Sequence, residues 1–259
     1  MHSLNGEKIR LIGDYHTHTV YSSGGLYHHG KGTVFENAMQ AKLLGIREIA
    51  ITDHGPAQRF YGMKISEMKR CRNDINEAEK LISGIKIYLS VEANIVDTRS
   101  GIDIEEEQKG IFDYISAGYH HGCKNSRTIS NIVSYSRCMP SGSYERLRTY
   151  NTDTVVRALT KNDIKVLTHP LDKGPFNAKE VFKACEASET LVEINNRHDN
   201  LSIDDIYEIA KLDIRFIVSS DAHKPSEVGK CDKAITKLIK SGIDISRIVN
   251  LEKEETNWK

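Results

Sequence analysis

Short apolar, β-branched runs recur along the chain at Ile9–Tyr15, Arg47–Thr52, Ile85–Val91, Phe112–Tyr119, Lys165–Thr168, Leu191–Asn195 and Arg215–Ser220, seven candidate strands. Most segments between them place apolar residues at helical spacing, so the pattern reads β-α repeated, with buried parallel strands. Thr33-Val34-Phe35-Glu36 has the form of a capping box opening a helix through Leu44, and Gly45 is placed to stop it. Ser66–Ser83 carries Met68, Cys71, Ile75, Ala78 and Ile82 on one stripe, with Gly84 behind it. Further helices are expected at Thr152–Asn162, Ala178–Ala187, Ile203–Lys211 and Ser226–Lys240, and a short one at Asp103–Lys109.

One connection departs from this rhythm. Gly122–Tyr150 is long, aperiodic and rich in Ser, Arg, Asn and Tyr. Such connections are often functional, and this one is expected as a partial lid that holds short helices, with a peripheral excursion as the alternative. No repeat, low-complexity tract or linker divides the chain, so a single α/β domain over 1–259 is expected, a length that one β/α barrel reaches.

The 36 basic and 36 acidic residues cancel, leaving no bulk charge to hold nucleic acid or an anionic membrane. Five cysteines, an odd number without C-x-x-C spacing, argue against a disulfide framework and a thiolate zinc site. Met1–Lys8 is polar, and no signal-peptide core or membrane-length apolar run occurs. A soluble cytoplasmic protein is expected.

The candidate chemistry lies where the strands end. His16 and His18 stand two residues apart in a strand and so point to the same face. Later strand candidates end in Asp53-His54, Glu92, His120-His121, His169, Glu193 to Asn196, and Asp221 with His223. Pro56, Pro170 and Pro225 follow His54, His169 and His223 closely, marking where each strand gives way to a loop. On parallel strands of a barrel, all these side chains would converge on one rim. Imidazoles with a few carboxylates suit divalent zinc, manganese or iron, zinc first, and supply too few oxygens for calcium.

As an ordered set, Asp14-Tyr15-His16-Thr17-His18-Thr19, Ile51-Thr52-Asp53-His54-Gly55, Val91-Glu92-Ala93-Asn94, Ala117-Gly118-Tyr119-His120, Thr168-His169-Pro170 and Ser219-Ser220-Asp221-Ala222-His223 resemble the PHP (polymerase and histidinol phosphatase) superfamily, from about Leu11 to Ser226. The resemblance implies a distorted, TIM-like (β/α)7 barrel with two to three divalent metals at the C-terminal rim of its strands. It implies His16, His18 and Asp221 as ligands of a first metal, and His54 and His223 as ligands of a second. Glu92 is implied as a bridge from the first metal to a third, completed by His120 and His169.

Family members of this type often read Tyr-Ser-His-Gly-Lys-Gly-Thr after the first motif. This chain reads Tyr21-Ser22-Ser23-Gly24-Gly25-Leu26-Tyr27-His28-His29-Gly30-Lys31-Gly32-Thr33, as if an insertion precedes the missing ligand. His29, directly before Gly30, is the first candidate for it and His28 the alternative.

Three divalent cations against two carboxylates would make a positive pocket that attracts phosphate. The expected reaction is hydrolysis of a small phosphomonoester, without a covalent intermediate, by a metal-bound water held by Glu92, His16, His18 and Asp221. Arg197 first, then Lys31, Arg59 and Lys224, are candidates for holding phosphate oxygens. Asp53 is expected to orient a neighbouring ligand rather than to bind metal. The expected partner is a small phosphorylated substrate, with no stable nucleic acid and no membrane; the oligomeric state is open. The alternatives are a histidinol-phosphate phosphatase of histidine biosynthesis and, in a different class, a phosphodiesterase of nuclease type or a polymerase-associated binding module.

Overall fold

The computed structural model, which describes residues 2–4, 7–23, 28–136 and 139–253, alternates strands and helices after an antiparallel start. The strands are β1 (His2–Leu4), β2 (Glu7–Leu11), β3 (Gly13–Thr17), β4 (Glu48–Ile51), β5 (Lys86–Leu89), β6 (Glu92–Asn94), β7 (Ile115–Gly118), β8 (Ile164–Leu167), β9 (Leu191–Asn195), β10 (Phe216–Ser219) and β11 (Leu251–Lys253). The helices are α1 (Val34–Leu43), α2 (Ile65–Leu81), α3 (Glu106–Lys109), α4 (Thr128–Ser134), α5 (Ser141–Lys161), α6 (Ala178–Ala187), α7 (Ile203–Ile209) and α8 (Asp232–Ser241).

Two parallel sheets result, β3-β4-β5 and β10-β9-β8-β7-β6, together with an antiparallel sheet β1-β2-β11. Single-residue bridges connect the parallel sheets on both sides, Thr17 to Ala222 and His54 to Glu92. The fold is thus α/β with parallel sheets. Because every parallel strand runs the same way, the loops after β3, β4, β6, β7, β8, β9 and β10 share one face.

Each of the seven apolar runs contains a strand, but two of them split. Ile9–Tyr15 breaks at Ile12, whose N–H donates to the Asn250 carbonyl (3.0 Å) while its carbonyl accepts from Arg47 N (2.9 Å). The first half, β2, turns away to pair antiparallel with β11, and only β3 joins the parallel layer. Ile85–Val91 ends as β5 on the β4 edge, and the chain then resumes as β6 on the β7 edge. The end of this run thus hands the chain from an edge of one parallel sheet to an edge of the other.

The helices bury the faces their spacing foretells. α1 opens on the expected capping box, with Glu36 N donating to Thr33 Oγ1 and Glu36 Oε2 accepting from Thr33 N. α2 buries Met68, Cys71, Ile75 and Ala78 over the buried strand residues Ile49, Ile51, Ile87 and Leu89. Each of the isoleucine, leucine and methionine side chains among them contributes about 1.5–3 kcal/mol when removed from water.

Two helix bounds need correction. α5 begins at Ser141 rather than Thr152, because its extra turns are largely polar and bury Leu147 and Asn151 rather than a continuous apolar stripe. Ser226–Lys240 is not one helix: a 3-10 turn at Pro225–Glu227 precedes Gly229 at φ +75°, and α8 starts only at Asp232. A positive φ cannot continue a right-handed helix.

The Gly122–Tyr150 connection holds α4 and the first half of α5; residues 137 and 138 lie outside the described residues. It is anchored by buried amides, with Tyr119 Oη donating to Asn151 Oδ1 (3.0 Å) and Asn151 Nδ2 donating to Asn131 Oδ1 (2.8 Å). Among the described residues, no helix is long and apolar enough to cross a membrane.

Candidate metal centre

His16 and His18 leave β3 on the same side, as the two-residue period of a strand requires, and their Nε2 atoms stand 3.1 Å apart. Asp221, which follows β10, brings Oδ1 to 3.4 Å from His18 Nε2 and 3.8 Å from His16 Nε2. Glu92, the first residue of β6, lies between two such groups. Its Oε2 is 3.4 Å from His16 Nε2 and 3.0 Å from His54 Nδ1, while its Oε1 is 2.7 Å from His169 Nε2 and 3.2 Å from His120 Nε2. His120 and His169 in turn approach to 3.2 Å through their Nε2 atoms.

His29 reaches the same rim. Its Nε2 is 2.5 Å from His223 Nε2, and its ring stacks on Tyr61 at 4.0 Å between centroids. His29 N donates to Ser22 O, so the chain returns to the rim after the loop, whose residues 24–27 lie outside the described residues. His28 is exposed.

Whether ions fit is a question of donor spacing. Two donors on one ion at about 2.1 Å stand roughly 3.0–3.4 Å apart in tetrahedral or octahedral geometry, and most of the distances above fall there. Three groups could each hold an ion: His16 with His18 and Asp221, His18 with His54 and His223, and His54 with Glu92 and His120. His54 Nδ1 and Nε2, Glu92 Oε2 and Asp221 Oδ1 are buried with no hydrogen-bond partner. A buried polar group left unpaired costs about 1–3 kcal/mol, and such atoms on three residues of the metal-capable groups point to cations as the missing partners.

The electrostatics agree. Burial opposes the charge on Glu92, yet His120, His16, His54 and His169 outweigh it and hold the carboxyl well below its usual range. Asp221 is likewise depressed against burial by His16 and His18. Burial lowers His54 to about 4 and His29 to about 3, so both rings are neutral near pH 7. His16 is the exception: Glu193, Glu92 and Asp221 override burial and raise it well above the imidazole range.

A supporting layer fixes the rings. Glu193 Oε1 is 2.7 Å from His16 Nδ1, and its Oε2 accepts from His169 N (2.6 Å) and Asn195 Nδ2 (2.9 Å). Asn94 Oδ1 is 2.9 Å from His120 Nδ1, while Asn94 N and Nδ2 both donate to the buried Asp103. Thr168 Oγ1 donates to Glu92 Oε1 (2.7 Å). Asp53 accepts from Thr19 N, Thr19 Oγ1 and Ser22 Oγ, and that Ser22 oxygen lies 3.4 Å from His18 Nδ1. His169 at φ +27° and Asp221 at φ +55° hold left-handed backbone, a strain of about 1–3 kcal/mol each that functional sites tolerate.

The four basic candidates are dispersed. Arg197 Nη1 and Lys224 Nζ each sit 3.3 Å from Glu227, whose Oε2 accepts His223 N, so both lie beside His223. Lys31 is exposed and donates its backbone N–H to His223 O. Arg59 faces a different groove, formed with the connection after β7.

Sequence reasoning placed Glu193 at a strand end and Asn94 in the Glu92 motif without giving either a role, and it passed over Tyr61 and His198. His198 Nδ1 is 2.8 Å from Asp172 Oδ2, and its Nε2 is 3.4 Å from Asp221 Oδ2. It too lies just past a strand, β9, which was the available signal; Asn94 shares the Glu92 face of β6 by the two-residue period, and for Tyr61 no periodic or spacing signal exists.

With this geometry in hand, likeness to known proteins is informative. The PHP domain model matches residues 14–197. A probable phosphatase of Acetivibrio thermocellus is 26% identical over 256 residues, covering 95% of this chain and 94% of its own. One of Caldanaerobacter subterraneus is 30% identical over 247 residues, covering 89% and 84%. The solved structure of a Lactococcus lactis histidinol phosphate phosphatase, complexed with zinc, L-histidinol and phosphate, shares the fold with TM-score 0.60 at 16% identity, covering 90% of this chain and 94% of its own. Matched over most of its length, and carrying the motif histidines and carboxylates on one rim, the chain belongs to the PHP domain family.

Proposed function

We propose that the protein is a metal-dependent phosphoesterase that hydrolyses a small phosphomonoester, acting as a single domain whose parallel strands form a distorted seven-position barrel. The observation that carries this reading is the set of buried atoms without a hydrogen-bond partner, His54 Nδ1, Glu92 Oε2 and Asp221 Oδ1, among the imidazoles gathered at the strand ends. Its family membership and the names of its relatives point the same way. The four described cysteines are buried thiols, in keeping with a reducing cytoplasm.

We assign His16, His18 and Asp221 to a first ion, His29, His54 and His223 to a second, and His120 and His169 to a third, with Glu92 bridging the first and third. Zinc is the favoured ion, since imidazole nitrogens outnumber carboxylates; manganese and iron suit the same donors. Bound ions would polarise the phosphate and lower the pKa of a coordinated water enough for attack on phosphorus near neutral pH.

The chain's own residues do the rest. Glu193 holds the His16 ring by Nδ1, leaving Nε2 to face the site. Asn94 does the same for His120, and Asp53 acts on His18 through Ser22. Arg197, released from Glu227, reaches a phosphate at the His223 side of the rim. His16→Ala and His120→Ala, each assayed for metal content and for p-nitrophenyl phosphate hydrolysis, test the assignment: both quantities should fall together, and a full metal complement in either variant removes that residue from the ligand set.

A further inference from the structure

We propose that the groove over the Gly122–Tyr150 connection binds a second anionic group, phosphate or carboxylate, carried on the alcohol that the reaction releases. This rests on the phosphomonoesterase reading above and narrows its substrate class.

Two adjoining cavities of about 450 and 550 Å³ make the groove, and Arg127 and Ser130 belong to both. The first is lined by Arg59 and Phe60 from the loop after β4, and by Cys123, Arg127, Thr128 and Ile129 from the connection after β7. Both loops leave the C-terminal ends of parallel strands, the face that carries the metal centre. Two links show how near the two sites are. Phe60 directly precedes Tyr61, whose ring stacks on His29 and meets His54 edge-on at 4.7 Å. Cys123 Sγ donates to Asn94 Oδ1, the oxygen that also holds His120 Nδ1. The groove thus starts about one side chain away from the ions' proposed ligands.

Its charge is unbalanced. Among the described residues, Arg59, Arg127 and Arg146 form no ion pair with a carboxylate, whereas Arg148 and Arg157, also on α5, pair with Glu145 and Asp97. The Arg127 guanidinium lies over the Tyr150 ring at 4.0 Å, which holds its plane beside the first cavity, and after the hydrogen bond from Arg157 its charge also helps keep the Asp97 carboxyl below its usual range. Asp153 lines the second cavity, so the position for an anion is the first, between Arg59 and Arg127. Phe60 and Ile129, 51% and 79% exposed, offer apolar surface for the carbon skeleton between the two anionic groups. Arginine forks match phosphate and carboxylate alike, and binding energy gained at a remote group can raise the rate at the reacting one.

The test compares matched pairs that differ only in the second anion: fructose 1,6-bisphosphate against fructose 6-phosphate, and 2-phosphoglycerate against glycerol 2-phosphate, with p-nitrophenyl phosphate as a reference lacking it. In metal-loaded wild type, kcat/KM should favour the dianionic member of at least one pair by roughly tenfold. Arg127→Ala should erase that preference while changing the p-nitrophenyl phosphate rate less than about twofold. Arg127→Lys should restore part of it, and the melting midpoint of each variant reports folding. Turnover of p-nitrophenyl phosphate with no preference in either pair overturns the subsite alone. So does an equal loss on every substrate in Arg127→Ala. Absence of p-nitrophenyl phosphate turnover in the loaded wild type overturns the phosphatase reading, and the subsite with it.

Discussion

Glu193 and His16, 177 positions apart in the chain, meet with Oε1 2.7 Å from Nδ1, both side chains fully buried. A carboxylate only accepts, so Nδ1 carries the proton and Nε2 faces Glu92 and Asp221. The pair fixes one tautomer of one candidate ligand. Glu193→Gln keeps the shape but removes the charge, and metal affinity should fall about 10–100-fold, as for other partners of metal-bound histidines. Competition with a chromogenic chelator measures it; unchanged affinity would show that Glu193 only fills space.

The same carboxylates set a pH dependence. His16 is raised well above the imidazole range in the metal-free site, whereas His54 is lowered to about 4 and His29 to about 3. At pH 7, His16 is therefore the protonated ring of these three, and an ion must displace its proton. Calorimetry in buffers of different ionisation enthalpy should find about one proton released from this cluster on loading, absent in His16→Ala. The linkage has a definite sign. A histidine raised on folding stabilises the metal-free protein fully below its unfolded pKa, and this contribution is lost as pH rises through the raised value. Urea unfolding of metal-free protein should thus show a loss of stability towards alkaline pH that His16→Ala lacks.

Gly118 ends β7 against the cluster. A Cβ there would come within 2.9 Å of Glu92 Oε1 and 2.9 Å of His120 Cε1, and closer still to Thr168 Oγ1. Gly118→Ala should displace the Glu92 carboxylate and the His120 ring, lowering metal content and p-nitrophenyl phosphate turnover at least about tenfold. Its circular dichroism should stay close to wild type, because the clash is with side-chain ends rather than backbone. Wild-type turnover in this variant would mean that Glu92 and His120 have room to spare.

The strand-end histidines were legible because local rules place them: His16 and His18 by the two-residue period, and His54, His169 and His223 by the prolines behind them. His29 was legible by its place before Gly30, and the structure brings it beside His223. What escaped depended on distant partners. Nothing near Glu193 indicates His16, and nothing near Asn94 indicates that it would hold His120 while leaning on Asp103. The antiparallel sheet escaped because β1 and β11 are short and largely polar, and Asn250, just before β11, escaped as the side chain that joins β3 to β10 by donating to Gly13 O and Val218 O. The early turns of α5 escaped because they bury Leu147 and the Asn151 amide instead of a continuous apolar stripe.

The central claim is that ions held by these histidines and carboxylates perform phosphomonoester hydrolysis. The most direct measurement is p-nitrophenyl phosphate turnover by protein stripped with a chelator, verified metal-free by elemental analysis, and then reloaded. The account predicts a fall of at least about a hundredfold on stripping and recovery with zinc or manganese. Undiminished turnover by the verified metal-free protein would contradict it.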